Sequence, residues 1–403
     1  MDVYEQIDIV IAGAGICGLA TALALHRKGI RSVVLERSET LRATGAAIFI
    51  MANGWRVLDQ LGVGSKLRQT ALPIEGSRLV LLDEGKQQEL PFGNGETRCL
   101  KRSDLIEILA ESLPHGTVRF GCQIVSVKLD HSTSYPILQL QDGSSIMAKV
   151  LIGCDGAKSV VADFLELKPS NLHTICATRG LTTYANGHPF ANEFVKMKIG
   201  DTFVGRIPIT DELVFWFVVQ QWTSKDAKVS QDSKLIQQSA LESTMSFPIE
   251  ITEMIKSSDP STLSLTRMRY RSPWNLLLAK FRKGTVTLAG DAMHVMGPFL
   301  GQGGSAGLED AIALARCLAE KMSPTNPSAR ERKMMVHEIG EAMDQYVKER
   351  RMRVVQLSTQ TYLCGLLWET PTTSLLVKFA CFVFLAIFFR NPTYHTKYDC
   401  GRL

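Results

Sequence analysis

The nine cysteines include no Cys-x-x-Cys pair and are odd in number across 403 residues, so neither a disulfide framework nor a zinc site is indicated, and no metal is expected. No apolar run reaches the ~20 residues that a bilayer-spanning helix needs, which excludes a multi-span membrane protein. Charge of one sign is also scarce: 45 Lys and Arg face 40 Asp and Glu, a net +5 without basic clustering, so nucleic acid is not an expected partner. The chain has no internal repeat and no low-complexity tract. The start, Met-Asp-Val-Tyr-Glu-Gln, lacks the basic and apolar regions of a signal peptide, which makes the cytoplasm the default expectation. At 45% hydrophobic and 21% charged, what remains is an ordinary globular chain, long enough for two to three domains at ~150 residues each.

Residues Ile7 to Ala12 form a β-branched apolar run, the pattern of a strand buried on both faces. A glycine-rich turn follows, then helical spacing from Ile16 to Lys28 that stops at Gly29, then a short strand from Ser32 to Leu35: a βαβ unit. Further on, a helix is expected from Ser103 through Leu113. Strands are expected at Gly121 to Leu129, Pro136 to Leu140 and Lys149 to Gly153. Alternating stretches dominate between about 170 and 280, with Gly205 to Ile209 and Leu213 to Val219 reading as a hairpin. Thr285 to Ala289 returns to a buried strand, and a second glycine-rich loop leads into a helix over Ser305 to Glu320. A charged helix from Arg330 to Gln360 precedes the most apolar segment, Leu375 to Phe389.

Three motifs carry the chemistry. Gly13-Ala14-Gly15-Ile16-Cys17-Gly18 lies between strand and helix, and Glu36 ends the next strand 18 residues after Gly18. Gly13 permits a tight turn, Gly15 lets the backbone approach a pyrophosphate, Gly18 allows close helix packing, and Glu36 suits a ribose. This predicts dinucleotide binding; an acid at the ribose argues against NADP there, while NAD and FAD both remain open. The other two are Gly153-Cys154-Asp155-Gly156-Ala157-Lys158-Ser159, and Gly290-Asp291-Ala292-Met293-His294 continuing through Pro298, Gly301-Gln302-Gly303-Gly304 and Leu308-Glu309-Asp310-Ala311.

Together, in this order, they resemble the signatures of the FAD-dependent aromatic hydroxylases, the group A flavoprotein monooxygenases. The likeness covers most of residues 5 to 320, and is closest to plant monooxygenases described as similar to salicylate hydroxylase and urate hydroxylase. The resemblance implies an α/β fold with a Rossmann-like FAD domain on a parallel sheet, an inserted, mostly antiparallel substrate domain, and a helical C-terminus. The expected boundaries are 1–170 and 281–325 for the FAD domain, 171–280 for the substrate domain, and 326–403 for the helical region with its apolar tail.

The cofactor contacts that the motifs and the resemblance imply are Gly13, Ala14, Gly15, Gly18, Glu36, Arg37, Ala47, Arg102, Val125, Asp155, Asp291, Gly301, Gln302, Gly303, Gly304 and Ser305. Asp291 suits a polyol such as the ribityl chain, and the helix opening at Gly301–Gly304 suits the electron-rich pyrimidine edge of a flavin. For Asp155 a turn-forming role is the alternative. His294 reads as packed beneath a loop and is not assigned as a base. Two positions depart from the family pattern: Ala162 stands where an arginine usually follows the second motif, which bears on pyridine-nucleotide contact, and Ser305 stands where asparagine is frequent. In the substrate domain Arg206, Phe215, Phe217 and Pro298 are the candidates, and an aromatic-rich pocket with few ionisable groups predicts an apolar or phenolic substrate. Phe203 and Phe215 occupy places where the urate hydroxylases have arginine and tyrosine, so urate is not expected.

The implied activity is monooxygenation: NADPH or NADH reduces FAD, O₂ forms a flavin C4a-hydroperoxide, and one oxygen atom enters a small aromatic or apolar substrate. No side chain is assigned a catalytic role, since the cofactor carries the chemistry. The alternatives are an FAD-dependent reductase or dehydrogenase without oxygen insertion, and a membrane-associated flavin-binding regulator. Leu375 to Phe389 spans 15 residues, too few to cross a bilayer; it reads first as a buried helix over the substrate domain and second as a helix in peripheral membrane contact.

Overall fold

The computed structural model describes residues 4–41, 46–90, 95–321, 329–368, 374–389, 391 and 393–403. The boundary expected between 325 and 326 lies outside them. The β-branched runs form the centre of an eight-stranded sheet: Glu5–Ala12 pairs in parallel with Ser145–Gly153 on one side and Val33–Leu35 on the other, and Val286–Leu288 extends it beyond Ser145–Gly153. Ile9, Val10, Ile11, Val150, Leu151 and Ile152 are fully buried, as a parallel sheet covered on both faces requires. The helix Ile16–Arg27 and the helix Gly303–Lys321 pack on each other over this sheet.

The second sheet has seven strands and is antiparallel except where Glu193–Ile199 runs parallel to Gly76–Leu81. That pair departs from the expected boundaries, because residues 76–89 cross from the first segment to form the edge of the substrate sheet. Their patterning is weak, since all six residues of Gly76–Leu81 are only half-buried and all four of Lys86–Glu89 are exposed.

The 40-residue helix Ala329–Trp368 runs back along the FAD domain, and Leu375–Phe388 forms a further helix packed on it. The expectation that this apolar helix is buried is corrected. Leu375, Leu376, Phe379, Phe382, Ile387 and Phe388 are all more than half exposed, and Cys381 is its one buried residue. No helix among the described residues is long and apolar enough to cross a membrane. The final residues return to the FAD domain: Arg56 donates to the Thr396 and Tyr398 carbonyls at 2.9 and 2.5 Å, and Gln60 to that of Gly401 at 3.0 Å.

Candidate functional site

Strand register brings the motifs together. Ala12 pairs with Gly153 and Leu35, and Gly153 with Leu288, so the carboxyl ends of four strands end in one row. Gly13, Asp155, Glu36 and Gly290 follow at once. Such an edge is where open α/β sheets take ligands.

The glycines divide by what surrounds them. Gly13 has φ +98°, and a Cβ there would stand 2.8 Å from the Cys154 carbonyl; at Gly18 a Cβ would meet the Gly13 carbonyl oxygen at 1.9 Å. Those two are demanded by the fold itself. Gly15 differs, since nothing lies within 4 Å of its Cβ position, although it caps the helix Ile16–Arg27 in an extended conformation. The space in front of it is free for a ligand, and helix N–H groups point there. Glu36 bridges this loop to its own strand end, accepting from the Ala14 N–H at 2.8 Å and the Ser38 N–H at 3.0 Å, while Arg37 beside it is exposed.

The strand Ala47–Ile50 pairs with Arg98–Lys101, and the Ala46 carbonyl receives the Arg102 N–H at 3.4 Å. Arg102 opens the next helix, with a buried Nε that has no partner. Burial lowers its pKa, and Asp291, at the start of the short helix Asp291–His294, opposes that shift. Arginine and aspartate from two distant motifs thus face one place. Asp155 turns the chain as the alternative reading expected, its Oδ2 accepting from the Val160 N–H at 2.8 Å, while Oδ1 is buried without a partner. Burial raises its pKa against hydrogen bonds that lower it, first that from Ser159. Val125 is 45% exposed and sits where the pairing of Ile124–Leu129 with Pro136–Leu140 shifts register, which leaves its backbone available.

Gly301 adopts a left-handed φ of +63° after Pro298–Leu300, and a Cβ at Gly304 would stand 2.4 Å from Ile48, so this loop closes onto Ala47–Ile50. Gln302 is fully buried, which leaves its backbone rather than its side chain to meet a ligand; its Oε1 accepts from Asn53 at 2.8 Å. Ser305 is buried with an unpartnered Oγ.

Beneath the loop lies a charged cluster built on Glu309 and Asp310 of the third motif. Glu309 accepts from Asn53 at 2.7 Å and from Arg350 and Arg353 at 2.8 Å each. Asp310 accepts from the Gly290 N–H at 2.8 Å, from Arg350 at 2.7 Å, and lies 2.6 Å from His294 Nε2. Burial would raise the Asp310 pKa, but His294 and Arg350 outweigh it and hold the carboxyl well below the usual range. His294, fully buried against Asp310, is a structural group. The partners Arg350 and Arg353 lie some 40 residues downstream on the long helix, and only its charged character hinted at them.

In the second sheet, alternation places Phe215 and Phe217 on the face toward the FAD domain, where Phe217 meets Phe194 at 6.1 Å and Phe194 meets Phe49 at 5.6 Å. Arg206 pairs with Trp216 and therefore lies on the other face, its guanidinium 4.0 Å over Phe190. Its expected place beside Phe215 and Phe217 is corrected: a one-residue offset along a strand reverses the face. The inner face instead carries the cations Arg179, Lys196 and Lys198, the last 5.7 Å over the Phe203 ring at the far end of its strand.

The residues present fit a flavin nucleotide: an open glycine cradle, and the unpartnered Arg102 Nε, Asp155 Oδ1 and Ser305 Oγ on the loops around it. A family profile described as FAD binding domain matches residues 6–361. Monooxygenase 1 of Arabidopsis thaliana is 49% identical over 400 residues, covering 99% of this chain and 100% of that protein. Monooxygenase 2 of the same plant is 36% identical over 90% of each. Among solved structures, Klebsiella pneumoniae HpxO complexed with FAD and uric acid superposes with a TM-score of 0.77 at 20% identity, over 97% of this chain and 96% of that one. This chain belongs to the FAD-binding-domain family of flavoprotein monooxygenases.

Proposed function

We propose that the protein is an NAD(P)H-consuming monooxygenase that inserts one atom of O₂ into a small aromatic substrate held between the FAD edge and the inner face of the antiparallel sheet. The observation that supports this most is the convergence of Gly13–Gly18, Asp155 and Gly290–Ser305 on one sheet edge, opposite an aromatic wall of Phe49, Phe194, Phe215 and Phe217. Gly13, Ala14, Gly15 and Gly18 would take the pyrophosphate, Glu36 and Arg37 the adenosine side, Asp291 and Arg102 the middle of the cofactor, and Gly301–Ser305 the flavin ring, with Ala47, Val125 and Gln302 contributing backbone. Bound FAD supplies the redox chemistry, taking two electrons from the nicotinamide and activating O₂, of which one atom enters the substrate and the other leaves as water. The chain's part is to orient the ring, exclude water with the aromatic wall, and offer helix N–H groups at 303–305 to negative charge on the reduced flavin. Pro298 lies at the rim of this space, on the exposed turn before Gly301.

Ala162 removes one guanidinium from the expected nucleotide contact, yet a cavity of about 230 Å³ beside it is lined by Lys158, Lys168, Arg269 and Arg271. These cations suit the phosphates of NADPH or NADH. The test is NAD(P)H oxidation by the yellow protein under air with a panel of aromatic acids, phenols and apolar aromatics. Stimulation by a member of the panel is expected; a protein that binds FAD and is never stimulated would contradict the reading.

The apolar helix Leu375–Phe388 supports membrane contact without spanning. Its burial is confined to the arc of Lys378, Cys381, Leu385 and Phe389, about 80° at 100° per residue, and the remaining arc is exposed and apolar. One packed protein partner covers a stripe, whereas lipid covers such an arc. Between Glu369 and Asp399 the sequence has Lys378, Arg390 and Lys397 and no carboxylate, which favours an anionic surface. Co-flotation with phosphatidylserine vesicles, lost in the Phe379→Ser, Phe382→Ser double variant, is the expected result; equal recovery without vesicles would overturn it.

A further inference from the structure

One row of paired residues crosses four strands of the antiparallel sheet: Arg179 opposite Phe217, Phe217 opposite Gly205, and Gly205 opposite Lys196. Residues in one row point to one face, and Phe217 shows that this is the face toward the FAD domain. At ~4.8 Å per strand, the two cations stand about 14 Å apart at the backbone. The floor between them is aromatic. A Cβ at Gly205 would fall 2.2 Å from the Phe217 ring, so the ring lies across that glycine toward the strand of Lys196.

Both cations are half-buried, and among the described residues no carboxylate lies within ion-pair distance of either. Arg179 donates to Thr266 Oγ1 at 2.6 Å. Lys196 Nζ stands 4.6 Å over the Phe194 ring, a contact worth roughly 1 kcal/mol, less than desolvating an ammonium costs. Burial lowers the pKa of Lys196, with the nearby Cys364 opposing; burial and then Arg102 lower that of Arg179 to about 10. The face is therefore positive, aromatic and short of anions, against the sequence expectation of few ionisable groups.

Resting on the monooxygenase reading, we infer that Lys196 is an anion-binding residue of the substrate site, and that the substrate is a planar aromatic acid whose ring lies on Phe217 and Phe194 while its anionic group pairs with Lys196. Arg179, already tied to Thr266, adds positive potential from the other end of the row. An apolar or neutral phenolic substrate would leave both cations uncompensated in a desolvated site.

The test uses the FAD-loaded protein and matched acid and amide probes: benzoate with benzamide, 2-naphthoate with 2-naphthamide, and indole-3-acetate with its amide, read as perturbation of flavin absorbance. At least one acid is expected to bind ~10–100-fold more tightly than its amide, the range for a charge-assisted hydrogen bond. Lys196→Gln should abolish that preference while Lys196→Arg retains most of it, each variant being first matched to the parent for FAD content. Equal affinity for acid and amide, an acid preference that survives Lys196→Gln, or silence from every probe would overturn the inference. Because the readout is binding, failure of oxygen insertion with the acid preference intact would count against the monooxygenase reading alone.

Discussion

The carboxyl edge of the parallel sheet and the inner face of the antiparallel sheet approach each other through Phe49 and Phe194, but their residues are specified over different distances. At the edge, each contact is made by a short motif whose spacing already contains the geometry: Gly13 to Gly18 is one turn, and Gly290 to Ser305 one strand end, loop and helix start. On the face, membership depends on register across four strands drawn from residues 171 to 221, and pairing with Trp216 rather than with Phe215 or Phe217 puts Arg206 on the opposite face. Motifs can be read locally, whereas a sheet face is defined only once its partners are known.

Breaking the support beneath the edge should have the largest effect. Arg350→Met leaves Asp310 buried without its guanidinium and Glu309 with that of Arg353 alone, a loss of about 3–5 kcal/mol by urea unfolding. The same cluster sets an acid limit. The folded pKa of Asp310 lies below its unfolded value of about 4, so its stabilisation is complete above that pH and is lost as pH falls below it. Asp310→Asn should flatten this acid limb of a stability–pH profile. An unchanged acid limb would remove the cluster from the account.

Next in size, Gly18→Ala forces a Cβ against the Gly13 carbonyl and should destabilise the apoprotein by about 2–4 kcal/mol. Gly15→Ala sharpens the contrast, because its Cβ meets open space. Apoprotein stability should stay within about 0.5 kcal/mol, while FAD affinity, followed by fluorescence quenching, falls about tenfold as the methyl displaces the pyrophosphate. If both variants lost stability equally, the division between glycines of the fold and glycines of the ligand would be wrong.

The smallest effect belongs to the face of the antiparallel sheet turned away from the FAD domain. Arg206→Gln should leave the affinity of the holoprotein for aromatic probes within about twofold, since its guanidinium stacks on Phe190 behind the sheet. A tenfold change would return Arg206 to the substrate site.

The parallel sheet, both glycine loops and the positions of Asp155, Glu36 and Asp291 were legible because buried strands and tight turns restrict residue type locally. Four things were not. Residues 76–89 join the second sheet with little burial to mark them, so their pattern carries no strand signal. The partners of Glu309 and Asp310 come from a helix some 40 residues away, and a salt-bridged arginine looks like a solvated one in sequence. The apolar tail was ambiguous because hydrophobicity reports a wish to leave water, not what provides the shelter. The inner-face cations were missed for a fourth reason: Arg179 sits in a strand whose alternation is interrupted by Gly180, and Lys196 alternates with the buried Val195 and Met197, the pattern of a solvated lysine.

The central claim is that the two walls act on one substrate with one atom of O₂. The most direct measurement is mass analysis of product formed by the FAD-loaded protein with NAD(P)H under ¹⁸O₂, using whichever aromatic acid perturbs the flavin most. One ¹⁸O atom per product molecule, with the label absent when ¹⁸O is supplied as water, is the predicted result. NAD(P)H consumption that yields hydrogen peroxide and unlabelled ligand, for every acid that binds, would contradict it.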